Sequence, residues 1–207
     1  MTEQGLEAVE ERLHRFASLV AGSPHNLVSK QARAELVGRH VPESRRFAAT
    51  LPGPGRLLDL GSGGGFPGMV IAVVRPDLDV HLLEATHKKA DFLERTGAAL
   101  GIPVTVHNGR AEDLARGPLA GGFDVVTARA VAPLERLVVL AAPFLRPGGT
   151  LHALKGERWR EELDHALPVL PGLGLVAADL PESGPDTSEP SASPLRVVVL
   201  QRTPPRE

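Results

Sequence analysis

The stretch of this sequence best suited to holding a ligand is LLDLGSGGGFPG, residues 57–68. It carries glycines at positions 61, 63, 65 and 68, behind a short apolar run. Such glycines let the backbone turn sharply and pass close to a ligand, and the next helix would aim free N–H groups at it. Two kinds of cofactor fit this turn: a dinucleotide held through its pyrophosphate, or a sulfonium cofactor that has no phosphate. The glycines alone do not separate these alternatives.

Acidic residues that follow the next two apolar runs narrow the choice of cofactor. Glu84 ends the second run, 19 residues after Gly65, where a carboxylate can accept hydrogen bonds from both ribose hydroxyls of either cofactor. The third run leads into NGRAEDL, which places Ala111, Glu112 and Asp113 where adenine lies in S-adenosylmethionine-dependent methyltransferases. The three sites together favour S-adenosylmethionine over NAD.

The elements that must position these residues alternate between short apolar strands and helices. The predicted strands are RLLDLG, DVHLLE, PVTVHN, FDVVTA and GTLHALK. The predicted helices between them are FPGMVIAVVRP, THKKADFLERTGAALG and APLERLVVLAAPFL. This alternation predicts an α/β fold with a parallel, doubly wound sheet, whose carboxyl edge would gather the candidate residues.

The end of the chain departs from this alternation. A helix is predicted over residues 157–167, followed by two strands, GLVAADL and LRVVVLQR. The segment between these strands, residues 181–194, is too rich in proline and serine to form a crossover helix. The two strands are therefore expected to pair as an antiparallel hairpin. Seven strands ending in such a hairpin are typical of the class I, Rossmann-like S-adenosylmethionine-dependent methyltransferase fold, whereas the simpler dinucleotide fold lacks the hairpin.

The N-terminal region is predicted to be helical. One helix is indicated by an apolar stripe at spacings of three and four residues, a second by Ser29 as a cap for residues up to about Val41, and a third by Pro42 in its first turn. The stripe consists of Leu6, Val9, Leu13, Phe16 and Val20. We therefore predict a helical extension over residues 1–52 and a methyltransferase domain over residues 53–207.

Composition excludes several classes of function. The 207 residues include no cysteine, so there is no disulfide, no thiolate metal site and no cysteine nucleophile. The longest apolar runs are far shorter than the ~20 residues that a membrane span needs, and no metal site is expected. The net charge is −2 and aromatic residues make up 3% of the chain, so bulk composition gives no general attraction to nucleic acid. We expect a soluble, cytoplasmic monomer.

Charge is nevertheless distributed unevenly along the chain. Residues 30–46 contain five lysines and arginines and His40 against two acids, whereas residues 179–189 contain four acids and no base. Such runs are usually solvated faces, so the basic segment gains meaning only beside a substrate site. Two cations after later strands are further candidates for that site. Arg129 can donate two hydrogen bonds, and Lys155 ends the fifth predicted strand.

These motifs together resemble the bacterial glucose-inhibited division protein B family, whose members are 16S ribosomal RNA guanine-N7 methyltransferases. The resemblance runs from about Asn26 to Gln201, and the combination of GSGGGFPG with TARA and LKG is far more specific than the glycines alone. The segments that carry it are NLVS, RHVPES, LLDLGSGGGFPG, LLEATHKKADFL, NGRAED, FDVVTARAVAPL, LRPGGTLHALKG and LRVVVL. The chain departs from the family at Glu43, where an aspartate is usual, and in ending at RTPPRE without the basic tail that many members carry.

The resemblance implies functional residues at specific positions. The implied contacts to S-adenosylmethionine are Gly61, Phe66, Glu84, Ala85, Thr86, Ala111, Glu112 and Arg129. The implied substrate contacts are Asn26, Arg39, His40, Arg129 and Lys155. The implied partner is 16S ribosomal RNA or the small ribosomal subunit. The resemblance further implies that the extension at residues 1–52 faces the RNA, with the basic segment holding phosphates.

The chemistry of the available residues agrees with methylation at N7. Methylation of a pyrimidine ring carbon normally needs a cysteine nucleophile, and exocyclic amines are typically methylated beside an Asn/Asp-Pro-Pro-aromatic element, in place of which this chain has TARA. Guanine N7 carries an in-plane lone pair and no proton, so direct displacement needs alignment and no general base. No catalytic residue is therefore assigned. The alternatives are a methyltransferase for a small molecule or protein, an NAD-dependent oxidoreductase, and a ribosome-assembly factor that only senses S-adenosylmethionine.

Overall fold

A seven-stranded sheet forms the centre of the protein. The computed structural model describes residues 3–178 and 195–204. The strands are β1 (Gly55–Leu60), β2 (Leu78–Glu84), β3 (Val104–Asn108), β4 (Phe123–Arg129), β5 (Leu145–Leu154), β6 (Leu175–Ala177) and β7 (Val197–Arg202). Their order across the sheet is β3-β2-β1-β4-β5-β7-β6. The first five pair in parallel, and β7 runs antiparallel to both β5 and β6. The predicted parallel sheet and its antiparallel terminal hairpin are both confirmed.

Eight α-helices lie in the described ranges, and the later ones follow the strands as the sequence pattern predicts. They are α1 (Glu3–Gly22), α2 (Lys30–Ala34), α3 (Val41–Ala49), α4 (Gly68–Val74), α5 (His87–Leu100), α6 (Ala111–Leu114), α7 (Leu134–Ala141) and α8 (Trp159–Ala166). Each of these helices is too short or too polar to cross a membrane. The acidic segment at residues 181–194 and the last three residues lie outside the described residues.

The core consists of two apolar clusters that share the sheet. Alternate residues of β1 join different clusters, Leu57 the first and Leu58 and Leu60 the second, because successive side chains of a strand point to opposite faces. The first cluster contains residues of α1, α3, α4 and α5, and the second contains residues of α7 and α8. Burial on both faces explains why the central strands are continuous apolar runs.

The N-terminal helices share an apolar cluster with the rest of the chain. Phe16 of α1 is fully buried, and its ring centroid lies 5.0 Å from that of Phe66. Arg75, directly after α4, donates hydrogen bonds to the carbonyl oxygens of Ala48, Leu51 and Pro52 at the end of α3. The division into an extension at residues 1–52 and a domain at 53–207 therefore remains a prediction about organisation, since the two share one core.

The structure corrects the predicted course of the second helix. Ser29 caps α2 as expected, accepting a hydrogen bond from the N–H of Ala32 at 3.1 Å. The helix ends at Ala34, however, and a turn of π-helix follows over Leu36–His40. The N–H groups of Arg39 and His40 both bond to the carbonyl of Glu35, which widens the turn before α3.

Candidate functional site

The glycine-rich turn between β1 and α4 is tightly packed at Gly61 and Gly65 and open at Gly63. Gly61, Gly63 and Gly65 have φ of +71°, +56° and +92°, which favour glycine over other residues. A Cβ at Gly61 would lie 2.8 Å from a methyl group of Val131, and one at Gly65 would lie 2.7 Å from the Met69 side chain. A Cβ at Gly63 would meet only one backbone oxygen, at 3.8 Å. A ligand can therefore approach this backbone at Gly63.

Asp59 fixes the turn from beneath. Its carboxylate accepts hydrogen bonds from the N–H of Gly68 at 3.1 Å and from the hydroxyl of Thr127 at 3.0 Å, and its carbonyl accepts one from Ser62. The side chain is 1% exposed, and this burial raises the pKa of Asp59 to about 6. Asp59 thus joins the start of α4 to the ends of β1 and β4, and it acts by positioning the turn.

Glu84 links the same turn to the end of β2. One carboxylate oxygen accepts a hydrogen bond from the N–H of Gly63 at 2.9 Å, and the other accepts one from the N–H of Thr86 at 2.7 Å. The carbonyl of Glu84 accepts hydrogen bonds from the Asn108 side chain and the Gly109 N–H, after β3. An ionised carboxylate has about four acceptor positions, so capacity for ribose hydroxyls remains.

The structure brings all eight predicted cofactor residues to the carboxyl edge of four neighbouring strands. Ala111 is buried at the start of α6, whereas Ala85, Thr86 and Glu112 are exposed. The ends of β3, β2, β1 and β4 lie side by side in that order. This edge is where ligands bind in open α/β sheets, and it is where Gly61, Phe66, Glu84, Ala85, Thr86, Ala111, Glu112 and Arg129 are found.

Arg129 is held by two residues of the N-terminal region. Its guanidinium donates hydrogen bonds to the Glu43 carboxylate at 2.9 Å and to His40 Nδ1 at 3.0 Å, and lies 5.7 Å from the centre of the Phe66 ring. Burial lowers the pKa of Arg129, while the charges of Glu43 and Asp59 act in the opposite direction. Glu43, at the position where the family usually has aspartate, therefore reaches the arginine directly.

Two neighbours of His40 Nδ1 call for different tautomers. A guanidinium can only donate hydrogen bonds, so the contact with Arg129 requires Nδ1 to accept, whereas the Glu43 carboxylate, 3.8 Å from the same nitrogen, would accept from an Nδ1–H. Nε2 is buried and has no hydrogen-bond partner among the described residues. A buried polar atom without a partner costs about 1–3 kcal/mol, whether it is a donor or an acceptor.

A cleft of about 700 Å³ adjoins this cluster, beyond the ends of β4 and β5. Four of the five predicted substrate residues line it: Arg39, His40, Arg129 and Lys155. The fifth, Asn26, is exposed in the loop between α1 and α2 and is not part of the lining. Lys155 is mostly buried, pairs with Glu162 at 2.7 Å and donates to the carbonyl of Ala132 at 2.8 Å. It therefore supports the cleft wall.

The basic segment at residues 30–46 makes mainly internal contacts. Arg33 donates hydrogen bonds to the carbonyls of Ala21 and His25, and Arg45 pairs with Glu10 of α1. Arg39 forms an ion pair with Glu35, and 56% of the Arg39 side chain is exposed. Arg33 and Arg45 hold the N-terminal helices together. That this segment holds phosphates stays a prediction, and it now concerns the exposed cations such as Arg39.

Most of the cleft lining was not identified from the sequence, and two of its residues, Ala130 and Arg196, show why. Ala130 follows Arg129 in a left-handed conformation, with φ of 54°, and nothing in the letters TARA indicates this. Arg196 lines the cleft from the start of β7. Its place depends on the antiparallel pairing of β7 with β5, which brings two distant parts of the chain together.

Comparison with known proteins identifies relatives over most of the chain. A family model described as GidB, rRNA small subunit methyltransferase G, matches residues 9–176. A protein of Sorangium cellulosum named ribosomal RNA small subunit methyltransferase G is 47% identical over 149 residues, covering 70% of this chain and 62% of the relative. A protein of the same name from Mycolicibacterium smegmatis is 39% identical over 199 residues, covering 95% of this chain and 82% of the relative.

Solved structures support the fold. A SAM-dependent O-methyltransferase from Thermotoga maritima superposes with a TM-score of 0.57 at 19% identity, covering 80% of this chain and 66% of that one. A methyltransferase from Pyrococcus furiosus gives a TM-score of 0.57 at 17% identity, covering 78% of this chain and 83% of that one. At such identities the likeness concerns the class I methyltransferase fold alone.

Proposed function

Because this chain belongs to the rRNA small subunit methyltransferase G family, we propose that it transfers the methyl group of S-adenosylmethionine to N7 of a guanine in 16S ribosomal RNA. The observation that carries the proposal is the junction of two sites at one sheet edge. The open glycine turn with Glu84 forms the first, and the cleft beside Arg129 forms the second. Methyl transfer needs a cofactor and an acceptor to meet in this way.

The cofactor would lie along the ends of β1, β2 and β3. Glu84 would accept hydrogen bonds from the ribose hydroxyls, and Ala111 and Glu112 would border the adenine. Gly61 and Phe66 would border the methionine end. The bound sulfonium supplies an activated methyl group. The open backbone at Gly63 and the spare acceptor capacity of Glu84 both suit an adenosyl group.

The acceptor base would enter through the cleft. Guanine N7 needs no proton removed, so the residues of the cleft have to orient the base in line with the sulfonium and exclude water. Arg129 lines the cleft and is a hydrogen-bond donor, as guanine O6 requires, whereas an adenine would present a donor at the same position. Arg129 would therefore favour guanine over adenine.

Labelled S-adenosylmethionine tests the proposal. The protein is incubated with assembled 30S subunits, with naked 16S RNA, or with a panel of small acceptors. Incorporation into 16S RNA, either naked or in subunits, is the expected result. Label in the small acceptors alone would contradict the proposal. Tight cofactor binding without any incorporation would instead favour a non-catalytic sensor, and calorimetric binding of NAD in place of S-adenosylmethionine would overturn the cofactor assignment.

We further propose that the protein acts as a monomer in the cytoplasm.

A further inference from the structure

The cations that line the cleft differ in how they are paired. Four lysine and arginine side chains border it, and three of them have a carboxylate partner within 3 Å. These pairs are Arg39 with Glu35 at 2.9 Å, Arg129 with Glu43 at 2.9 Å and Lys155 with Glu162 at 2.7 Å. The fourth cation is Arg196, whose guanidinium has neither an ion pair nor a hydrogen bond within residues 3–178 and 195–204. Within the described residues, Arg196 is therefore the cation of the lining that has no carboxylate partner, and Glu157 is a carboxylate of the same lining that forms no ion pair there.

Arg196 is fixed at its position by the sheet. It directly precedes β7, and its carbonyl accepts a hydrogen bond from the N–H of Lys155 at 2.9 Å. Arg129, Leu154 and Val197 are neighbours across β4, β5 and β7. Strands lie about 4.8 Å apart, so the backbone of Arg196 lies on the order of 10 Å from that of Arg129, on the scale of one nucleotide. The guanidinium is thus presented from a rigid element.

We propose that Arg196 binds a backbone phosphate of the RNA substrate, next to the nucleotide that receives the methyl group. The inference rests on the proposed function and adds a phosphate contact to it. A guanidinium presents its N–H donors in a planar fork that matches two phosphate oxygens, and it is weakly hydrated, so it gives up water readily. Arg196 is half-buried and has no partner among the residues that the structure describes, so its guanidinium is ready to take an anion. The other three cations would first have to leave their carboxylates.

The test compares Arg196→Ala with Arg116→Ala. Arg116 is exposed on the turn after α6, does not line the cleft, and carries the same charge. Methyl transfer to 16S RNA or 30S subunits is measured for both variants, along with calorimetric binding of S-adenosylmethionine, and RNA binding is followed between low and high salt. Thermal unfolding checks that each variant is folded. Arg196→Lys serves as a second variant, because it keeps the charge and loses the fork.

The expected result is weaker binding of RNA with unchanged binding of the cofactor. For Arg196→Ala, KM for RNA rises about tenfold, cofactor affinity is unchanged, and the slope of log affinity against log salt falls by about one. Arg196→Lys lies between this variant and the wild type, and Arg116→Ala equals the wild type. If Arg196→Ala matches Arg116→Ala in KM and in salt slope, the phosphate contact is refuted. If the wild-type chain binds the cofactor and methylates no RNA, the proposed function fails instead.

Discussion

Replacing Asp59 by asparagine should change how the stability of the protein depends on pH. Asp59 is almost completely buried, and its folded-state pKa is raised from 3.8 to about 6. The folded chain therefore holds this proton more tightly than the unfolded chain. Wild-type stability consequently falls as pH rises from about 4 to 6, because the unfolded chain gains free energy by ionising first. Asparagine has no proton to lose, so the stability of the Asp59→Asn variant does not fall in this way as pH rises.

The size of the effect follows from the shift. A change of about two pKa units corresponds to about 3 kcal/mol of unfolding free energy. Asparagine keeps both hydrogen bonds, since its carbonyl can accept from the N–H of Gly68 and its amide can donate to the Thr127 hydroxyl. At pH 8 the variant Asp59→Asn should be more stable than the wild type by up to about 3 kcal/mol. At pH 4 the two should be nearly equal.

Urea unfolding of both proteins at intervals from pH 4 to pH 8 measures this difference, and comparing variants cancels the titration of all other groups. Asp79→Asn is the matched control. At Asp79 burial acts to raise the pKa, but hydrogen bonds from His81 and Arg56 lower it, and the net pKa lies below the usual value. The pH-dependent difference in unfolding free energy between the wild type and Asp79→Asn should therefore be small and of opposite sign. Parallel curves for the wild type and Asp59→Asn would refute the reasoning.

Three other substitutions and one control variant test the site and its support. Gly63→Ala should weaken S-adenosylmethionine binding at least tenfold by calorimetry and lower the unfolding free energy by only about 1 kcal/mol, since its Cβ would enter open space; unchanged affinity would place the cofactor elsewhere. Arg75→Ala should cost about 2–3 kcal/mol in urea unfolding, because it releases three backbone carbonyls. The exposed Arg95→Ala should cost less than about 0.5 kcal/mol, and equal losses would contradict this. Glu43→Gln should lower methyl transfer at least tenfold and leave the protein folded, because Arg129 loses its carboxylate partner; full activity would show that the pairing is not needed.

Features that depend on local pattern were predictable from the sequence. The strands of the parallel sheet are buried on both faces, so they read as continuous apolar runs, and proline and serine between the last two strands excluded a crossover helix. Glu84 could be placed from its distance to Gly65, because the strand and helix between them have nearly fixed lengths. Ser29 could be identified as a cap from its residue type and position.

Features that depend on tertiary pairing were not predictable. Which carboxylate or carbonyl a cation meets is decided by which elements become neighbours, so the pairing of Lys155 with Glu162 of α8 could not be predicted, and its substrate contact stays a prediction. The same holds for Arg33 of the basic segment, which donates to backbone carbonyls at the end of α1 and in the next loop. Arg196 enters the cleft only because β7 runs antiparallel to β5.

The most direct test of the proposed activity is to identify the nucleoside that carries the methyl group. The protein is incubated with S-adenosylmethionine and 30S subunits or naked 16S RNA that lack the modification, and the digested RNA is analysed by mass spectrometry. The expected product is N7-methylguanosine at a single site, formed at an initial rate proportional to the protein concentration. A methyl group on a pyrimidine, on an exocyclic amine or on a ribose, or no methylated nucleoside at all, would contradict it.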